Sequence, residues 1–269
     1  MIRPVPLKDA VDESVYGGKC ASLGRALRSG LPTPDGFALG VELVKKVVRR
    51  DQPVVAEVTG LFQALAPAMA VRSSAIGEDS AEVSFAGQHA TVLNVMSIEA
   101  MLAAIEEVYD SAQTPEVIAY RQKMSISGDP AIAIALQIQI LSDVSGVMFT
   151  RNPLSGASER VIEASWGLGE AIVAGLVVPD SFRISPTGEI IERIAGEKDI
   201  KLIADANGNV LEVEVEPDKI EALCLSDGQL NNLHQLASDC ETVYGSGLDI
   251  EWAFSQEKLY LLQCRAITR

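Results

Sequence analysis

Two short runs near the end of the chain carry the residue types best suited to chemistry. Residues 249–254 and 259–265 are both rich in apolar, β-branched and aromatic residues and are separated by four polar ones, a pattern typical of a β-hairpin. Polar side chains among such apolar neighbours are costly unless they are paired or liganded. Carboxylate and amide oxygens suit Mg²⁺ and an arginine suits phosphate, so the pattern indicates a metal–phosphate site, although a half-exposed hairpin with one polar side explains it equally well. The side chains concerned are Asp249, Glu251, Gln263 and Arg265.

A shared metal site sets a condition on the register of this hairpin. Side chains alternate along a strand, and directly paired antiparallel residues share a face. A regular four-residue loop at 255–258 would point Glu251 away from Gln263. We therefore predict an odd register or a β-bulge, with Glu251, Gln263 and Arg265 on one face and Trp252 packed on the other.

Two more positions place positive charge where backbone amides could face an anion. Lys19 follows a glycine pair at the predicted start of a helix, where its charge opposes the helix dipole unless an anion binds there. Arg72 ends an apolar strand and leads into residues 73–88, a loop of small and hydroxyl residues typical of phosphate cradles. A surface lysine and a long surface loop are the alternative interpretations.

Hydrophobic periodicity predicts the elements that position these residues. We expect the first helix to end near residue 28 and the helix before the terminal hairpin to present Leu230, Leu233 and Leu236 to the core. Further helices are expected at 41–50, 55–65, 98–109, 115–124 and 226–243. Strands are expected at 36–40, 68–72, 131–141 and 144–150, with a β-meander between 184 and 213.

The composition argues against several classes of partner. The net charge of the 269 residues is −15 and no basic run occurs, which argues against nucleic acid. The longest apolar segment, 131–141, is too short to span a bilayer, and the first residues lack a signal-like apolar run, so we expect a cytoplasmic protein with no membrane partner. The four cysteines lack CxxC spacing and are expected to be reduced and mostly buried. His89 and His234 are the two histidines, and both are expected to be structural.

Together these segments resemble a known family. The nucleotide-binding domain shared by phosphoenolpyruvate synthase, pyruvate phosphate dikinase and rifampicin phosphotransferase has motifs similar, in the same order, to residues 17–24, 30–37, 71–74, 84–88, 143–153, 163–170 and the terminal hairpin. The resemblance implies an α+β ATP-grasp fold in which two subdomains hold ATP between them. We expect an N-terminal subdomain at 1–95, shortened because residues 41–69 are compressed relative to the family, and a C-terminal subdomain at 96–269.

The resemblance also implies roles for particular residues. Lys19, Arg72 and Arg265 would bind phosphates and offset charge as a phosphoryl group moves, and are therefore the expected catalytic residues. Asp249, Glu251 and Gln263 would hold Mg²⁺ or the ribose, with Glu251 and Gln263 as the expected metal ligands. The nucleotide contacts that the resemblance implies are Lys19, Arg72, Gly87, Thr91, Gln137 (near the adenine and sugar), Thr150 (near the phosphates), Asp249, Glu251, Gln263 and Arg265.

By the same resemblance, the chain would pass the β-phosphoryl group of ATP to a histidine on a separate phosphocarrier domain and release AMP, which makes it incomplete alone. Two alternatives remain open at this point. One is a regulatory subunit that senses nucleotide without turnover, and the other is an ATP-grasp ligase that makes an acyl phosphate. The final phosphoryl acceptor is equally open, with pyruvate, an antibiotic or another hydroxyl compound as candidates.

Overall fold

The computed structural model describes residues 3–76, 79–80, 83–84, 90–115, 117–118 and 130–267. The described strands are β1 (Val5–Pro6), β2 (Gly36–Leu39), β3 (Met69–Ala75), β4 (Asp79–Ser80), β5 (Val83–Ser84), β6 (Thr91–Val95), β7 (Ile132–Ile138), β8 (Val144–Phe149), β9 (Arg160–Trp166), β10 (Asp180–Ile184), β11 (Ile190–Ile194), β12 (Ile200–Ala204), β13 (Val210–Glu214), β14 (Leu248–Ser255) and β15 (Lys258–Ala266). The described helices are α1 (Glu13–Arg28), α2 (Val41–Val48), α3 (Gln52–Thr59), α4 (Phe62–Leu65), α5 (Ile98–Ser111), α6 (Glu170–Val173) and α7 (Asp227–Tyr244), with a 3₁₀ turn at Leu7–Asp9.

Five strands form the first sheet, in the order β1-β2-β7-β3-β6. β7 is hydrogen-bonded to β2 on one side and to β3 on the other, both antiparallel. Helices α2 and α5 pack their apolar faces on this sheet, and the Ser97 side chain caps α5 by accepting a hydrogen bond from the Ala100 amide at 3.1 Å. Every residue of β3 is buried, which makes this strand a rigid support for any side chain it carries into a cleft.

The change from one sheet to the other does not fall at the expected boundary. β7 lies well after residue 95, yet it is the central strand of the first sheet. The buried face of α5 also joins the core of the first sheet, through Met101, Ile105 and Val108. Residue 95 therefore lies inside the first unit, and the chain passes to the second sheet between Ile138 and Val144.

Six strands form the second sheet, in the order β11-β10-β9-β8-β14-β15. Helix α7 covers one face of it and begins with a capping box formed by Ser226 and Gln229. As expected, Leu230, Leu233 and Leu236 are buried in this core. Trp252 and Phe182 are fully buried there too, and burial of each such side chain contributes roughly 1.5–3 kcal/mol to stability.

Most predicted elements are present, with shifted ends. The predicted helix at 55–65 is two helices, α3 and α4, separated at Gly60 and Leu61. The predicted helix at 115–124 lies mainly outside the described residues. The predicted meander is divided, because β10 and β11 extend the second sheet whereas β12 and β13 form a separate hairpin. All four cysteines are buried and none is part of a disulfide within the described residues, as expected. Within the described part of the chain, no helix has the length and apolar character needed to cross a membrane.

Candidate functional site

Arg72 links the two sheets at the edge of a cleft. It lies on β3 of the first sheet, and its side chain is only 10% exposed. The guanidinium donates to the Leu262 carbonyl at 2.6 Å, to Glu251 at 3.1 Å and to Gln263 at 3.2 Å, all on the terminal hairpin of the second sheet. It also lies 3.4 Å from the Gln137 side-chain oxygen on its own sheet. A planar fork with several donors is well suited to this bridging role.

The terminal hairpin contains the predicted β-bulge. Glu251 pairs with Gln263, and the next pair along is Trp252 with Leu261, so Leu262 is an extra residue on β15. The turn has two residues, Gln256 and Glu257, both with positive φ. The prediction is confirmed, because Glu251 and Gln263 share a face and Trp252 packs in the core.

This bulge also explains how Arg72 is held. A bulged residue is left out of the regular ladder. The carbonyl of that extra residue, Leu262, is the one that accepts the shortest hydrogen bond from Arg72. The irregularity in β15 therefore aligns the Glu251 and Gln263 side chains and also supplies a backbone acceptor between the two sheets.

One step along the hairpin, Arg265 and Asp249 form a second arginine–carboxylate pair. They are directly opposite each other in the ladder, and Arg265 donates to one Asp249 oxygen from two nitrogens at 2.8 and 2.9 Å. Burial raises the pKa of Asp249, and the Arg265 guanidinium acts in the opposite direction. Each of the two arginines is thus held by a carboxylate of β14.

Lys19 lies just after an interruption in α1, which begins at Glu13 and not at the glycine pair as expected. Gly17 has φ of +75° inside α1, and the Ser74 hydroxyl sits at this break, accepting from the Cys20 amide at 2.9 Å and donating to the Tyr16 carbonyl at 2.7 Å. Lys19 is 8% exposed, and no carboxylate within the described ranges lies at ion-pairing distance from its ammonium. A buried ammonium without a carboxylate partner suits an anionic ligand.

Next to Arg72, a cleft lies between the sheets and opens to solvent. The linker from the first sheet to the second forms part of its wall through Gln139 and Ile140. One side is mainly apolar, and Arg72 and Glu251 contribute to the polar side. The residues lining it include Ala70, Arg72, Leu93, Gln137, Ile138, Gln139, Ile140, Val147, Leu168, Gly169, Glu170, Val173, Glu251 and Leu262.

The other expected nucleotide contacts differ in their position relative to the cleft. Gln137 lines the cleft and is fixed by donating to the Pro34 carbonyl at 2.9 Å. Thr91 is exposed and pairs with Arg72 across β3 and β6, so it shares a face with that arginine. Thr150 is buried outside the cleft lining, and its hydroxyl accepts from the Leu248 amide at 3.0 Å. Gly87 lies outside the described residues.

Two cleft residues were missed by the sequence reasoning. Glu170 lines the cleft, and burial raises its pKa while the nearby Arg72 charge lowers it. Gln139 also lines the cleft, with its side-chain oxygen accepting from the Asn94 amide at 3.3 Å. The signal for Glu170 was available in the glycine loop at 167–169, which directly precedes it. For Gln139 there was only an amide on an otherwise apolar run.

The oxygen chemistry of the hairpin fits a divalent cation that shares its ligands with a phosphate. The described residues contain no group of three or more His, Cys, Asp or Glu side chains able to hold a metal alone. Glu251 and Gln263 nevertheless direct one carboxylate and one amide oxygen to the same point, where Arg72 now donates to both. Mg²⁺ is commonly bound by one or two protein oxygens together with substrate phosphates. These two residues therefore match that pattern.

Two sheets, a cleft at their junction and a cluster of arginines and carboxylates define a two-lobed α+β protein with a candidate site between its lobes. Residues 52–269 match the family model described as pyruvate phosphate dikinase, AMP/ATP-binding domain. The chain belongs to this family of AMP/ATP-binding domains. The expected α+β ATP-grasp class is thereby confirmed, with its two lobes on either side of the cleft.

Named relatives agree with this assignment. The chain is 33% identical to a probable phosphoenolpyruvate synthase of Archaeoglobus fulgidus, over 97% of this chain and 40% of the relative. It is 31% identical to the rifampicin phosphotransferase of Streptomyces sviceus, over 96% of this chain and 35% of the relative. The chain thus spans less than half the length of these relatives.

Among solved structures, N5-carboxyaminoimidazole synthase from Aspergillus clavatus, in complex with ADP and 5-aminoimidazole ribonucleotide, aligns with a TM-score of 0.45 and 10% identity. That alignment covers 95% of this chain and 45% of the synthase.

Proposed function

We propose that this chain binds ATP with Mg²⁺ in the cleft between the two sheets and acts as the nucleotide-binding part of a phosphotransferase. The observation that carries the proposal is Arg72, a buried arginine that reaches from the first sheet to Glu251 and Gln263 beside the cleft. The adenosine would lie against the apolar side and the linker at Ile140. The triphosphate would extend toward Lys19, Arg72 and Arg265.

The charges around the cleft support a requirement for Mg²⁺. Among the residues that line the cleft, the one cation Arg72 stands against the two carboxylates Glu170 and Glu251, so these side chains alone offer little net attraction for a triphosphate. The whole chain carries a net charge of −15, which adds to the unfavourable background. A divalent ion at Glu251 and Gln263 would neutralise part of the phosphate charge. Lys19, Asp249 and Arg265 lie outside this lining.

The proposed reaction is transfer of the β-phosphoryl group to a histidine of a separate phosphocarrier domain. A histidine nitrogen attacks the β-phosphorus, the bond from that phosphorus to the oxygen bridging the α- and β-phosphates breaks, and AMP leaves with this oxygen. The γ-phosphate stays on the transferred group and later passes to water or phosphate. In this step Lys19, Arg72 and Arg265 stabilise the moving charge electrostatically, and no side chain of this chain needs to act as a nucleophile.

The location of His234 is consistent with an acceptor from outside. His234 lies on α7, on the far side of the second sheet, and contacts the turn at Gly188. His89 lies outside the described residues. The names of the relatives, a phosphoenolpyruvate synthase and a rifampicin phosphotransferase, further support phosphoryl transfer as the reaction class.

Calorimetry of ATP binding with and without Mg²⁺ tests the first part of the proposal. We expect Mg²⁺-dependent binding that stabilises the fold by about 2–4 kcal/mol at saturating ligand. Glu251→Gln should weaken binding in Mg²⁺, whereas the exposed Glu212→Gln on β13 should leave it unchanged. Binding that ignores both Mg²⁺ and Glu251→Gln would contradict the shared metal site.

Product analysis tests the reaction. Alone, the protein should turn over ATP only slowly, and addition of a phosphocarrier domain with a reactive histidine should give AMP. Rapid release of ADP without a carrier would favour a simple kinase, an ATPase or a ligase. ATP binding with no turnover in the presence of any carrier tested would favour the regulatory alternative.

A further inference from the structure

A β-bulge in the edge strand of the first sheet turns Asn94 away from that sheet. Between the pairs Met69–Val95 and Val71–Val92, β6 has two residues where β3 has one. Asn94 is the second of these residues, and its φ of +56° takes it out of the regular strand geometry. Its neighbour on the bulge, Leu93, lines the nucleotide cleft.

Asn94 holds the tip of a hairpin that belongs to the other half of the molecule. We call β12, β13 and their connecting turn (residues 200–214) the strap hairpin. The Asn94 amide donates to the Asp205 carbonyl at 2.9 Å and to the Asn209 carbonyl at 2.8 Å, both in the turn. Asn94 is 2% exposed, so these two bonds are made away from solvent.

The turn of the strap hairpin is shaped to present these carbonyls. One oxygen of the Asp205 carboxylate accepts from the backbone amides of Asn207 at 2.9 Å and Asn209 at 2.7 Å. The other oxygen accepts from the side-chain amides of the same two asparagines. These bonds lower the pKa of Asp205, led by the bonds from Asn209. Asp205 thus fixes the conformation of the turn whose carbonyls accept hydrogen bonds from Asn94.

At its other end the strap hairpin is joined to the wall of the cleft. The Leu168 amide donates to the Leu202 carbonyl at 2.9 Å, and Gly167 forms a bridge to the same residue. A Cβ on Gly167 would lie 2.4 Å from the Leu202 carbonyl oxygen, so this approach requires glycine. The next residues, 168–170, line the cleft.

We propose that Asn94 is a positioning residue for the nucleotide cleft. It clamps the strap hairpin to the first sheet, so that the wall at 168–173 cannot move away from Leu93 on the opposite lobe. A second contact supports this role, because the Asn94 backbone amide donates to Gln139 in the linker between the lobes. Asn94 thus connects the strap hairpin, the linker and the cleft at one point. The inference rests on the proposed binding of ATP in this cleft.

The variant that tests this is Asn94→Asp in the full chain. It keeps a residue that tolerates positive φ but replaces the amide nitrogen, which donates both bonds, with an oxygen that faces the two carbonyls. We expect hydrogen exchange to accelerate by at least tenfold in the turn at 205–209 and to stay unchanged in β7. We also expect the dissociation rate of a fluorescent ATP analogue to rise roughly tenfold, the value of about one buried hydrogen bond. Asn232→Asp, the same change at an exposed site on α7, should alter neither rate.

A second variant changes the hairpin side of the same contact. It keeps the proposal testable if Asn94→Asp does not fold. Asp205→Ala removes the bonds that shape the turn at a half-buried position in a surface hairpin, so the fold should persist while the turn loosens. We expect the same faster exchange at 205–209 and the same faster nucleotide release. A structural role alone would change exchange but leave nucleotide release at the wild-type rate, and that result in both variants would overturn the proposal.

The outcomes also separate this inference from the proposed function. If the wild-type chain fails to bind the ATP analogue, the proposed function fails. Hydrogen exchange at 205–209 still tests whether Asn94 holds the strap hairpin (the Asn94 clamp). If the analogue binds and neither exchange nor release responds to Asn94→Asp or Asp205→Ala, the clamp is refuted and the proposed function stands.

Discussion

Removal of the Arg72 side chain should destabilise the nucleotide-free protein, because this arginine joins the two sheets. In Arg72→Ala, the Leu262 carbonyl and the Gln263 oxygen lose their bonds at 2.6 and 3.2 Å. Buried groups left without a partner cost about 1–3 kcal/mol each. Glu251 is 30% exposed and can be hydrated, so its lost ion pair adds little. We expect the free energy of unfolding to fall by about 3 kcal/mol.

Urea unfolding of matched arginine variants tests this value. Arg183 provides the control, because it also pairs with two carboxylates, Glu192 at 2.8 Å and Glu159 at 3.2 Å, but is 36% exposed and does not join two sheets. Arg183→Ala should therefore cost much less than Arg72→Ala. Equal decreases in the free energy of unfolding for the two variants, or a decrease below about 1 kcal/mol for Arg72→Ala, would refute the argument. Arg72 would then not stabilise the protein through its burial and its contacts with both sheets.

Three further changes are expected to have measurable effects. Lys19→Met should weaken ATP binding by roughly 1.5–3 kcal/mol in calorimetry, with little change in nucleotide-free stability, since no described carboxylate pairs with Lys19; a large stability loss would contradict this. Gly17→Ala should cost at least about 2 kcal/mol more than Gly30→Ala in urea unfolding, because both glycines have φ of +75° but only at Gly17 would a Cβ collide, 2.1 Å from the Ser74 carbonyl oxygen. Burial lowers the pKa of His234, aided by Arg160, so the unfolded chain binds a proton first as pH falls. The contribution of the neutral His234 side chain to the free energy of unfolding is therefore present above about pH 6.5 and lost below it. His234→Gln should reduce the stability that the protein loses between about pH 7 and 5.5. Identical pH profiles would exclude this role for His234.

The hairpin site was predictable because its rules are local. Alternation along two strands fixed which polar residues could share a face, and the requirement that Glu251 and Gln263 meet led to the bulge. The register argument did not identify which residue is extra. Neither did it show that the carbonyl of this residue, Leu262, would accept from Arg72, which is 190 positions away in the chain.

Contacts between the lobes could not be predicted from the sequence, because they join residues that are far apart in the chain. In the sequence, Asn94 is one polar residue between the apolar Leu93 and Val95, and nothing near it indicates that its amide will contact a hairpin more than a hundred residues later. The boundary at residue 95 failed because sheet order is set by pairing over long distances. The helix α5 after that residue gives no local sign that β7 will return to the first sheet.

The central position of β7 has a consequence for synthesis on the ribosome. Both neighbours, β2 and β3, precede it in the chain, so each emerges with an unpaired edge facing the gap that β7 will fill. About sixty residues separate the end of β3 from the end of β7, several seconds of translation at roughly 5–20 residues per second. During that interval the nascent first lobe exposes strand edges of the kind that pair with other chains. Slowed translation across α5 should therefore increase aggregation of the nascent protein more than a similar delay after residue 138, where the sheet is already closed.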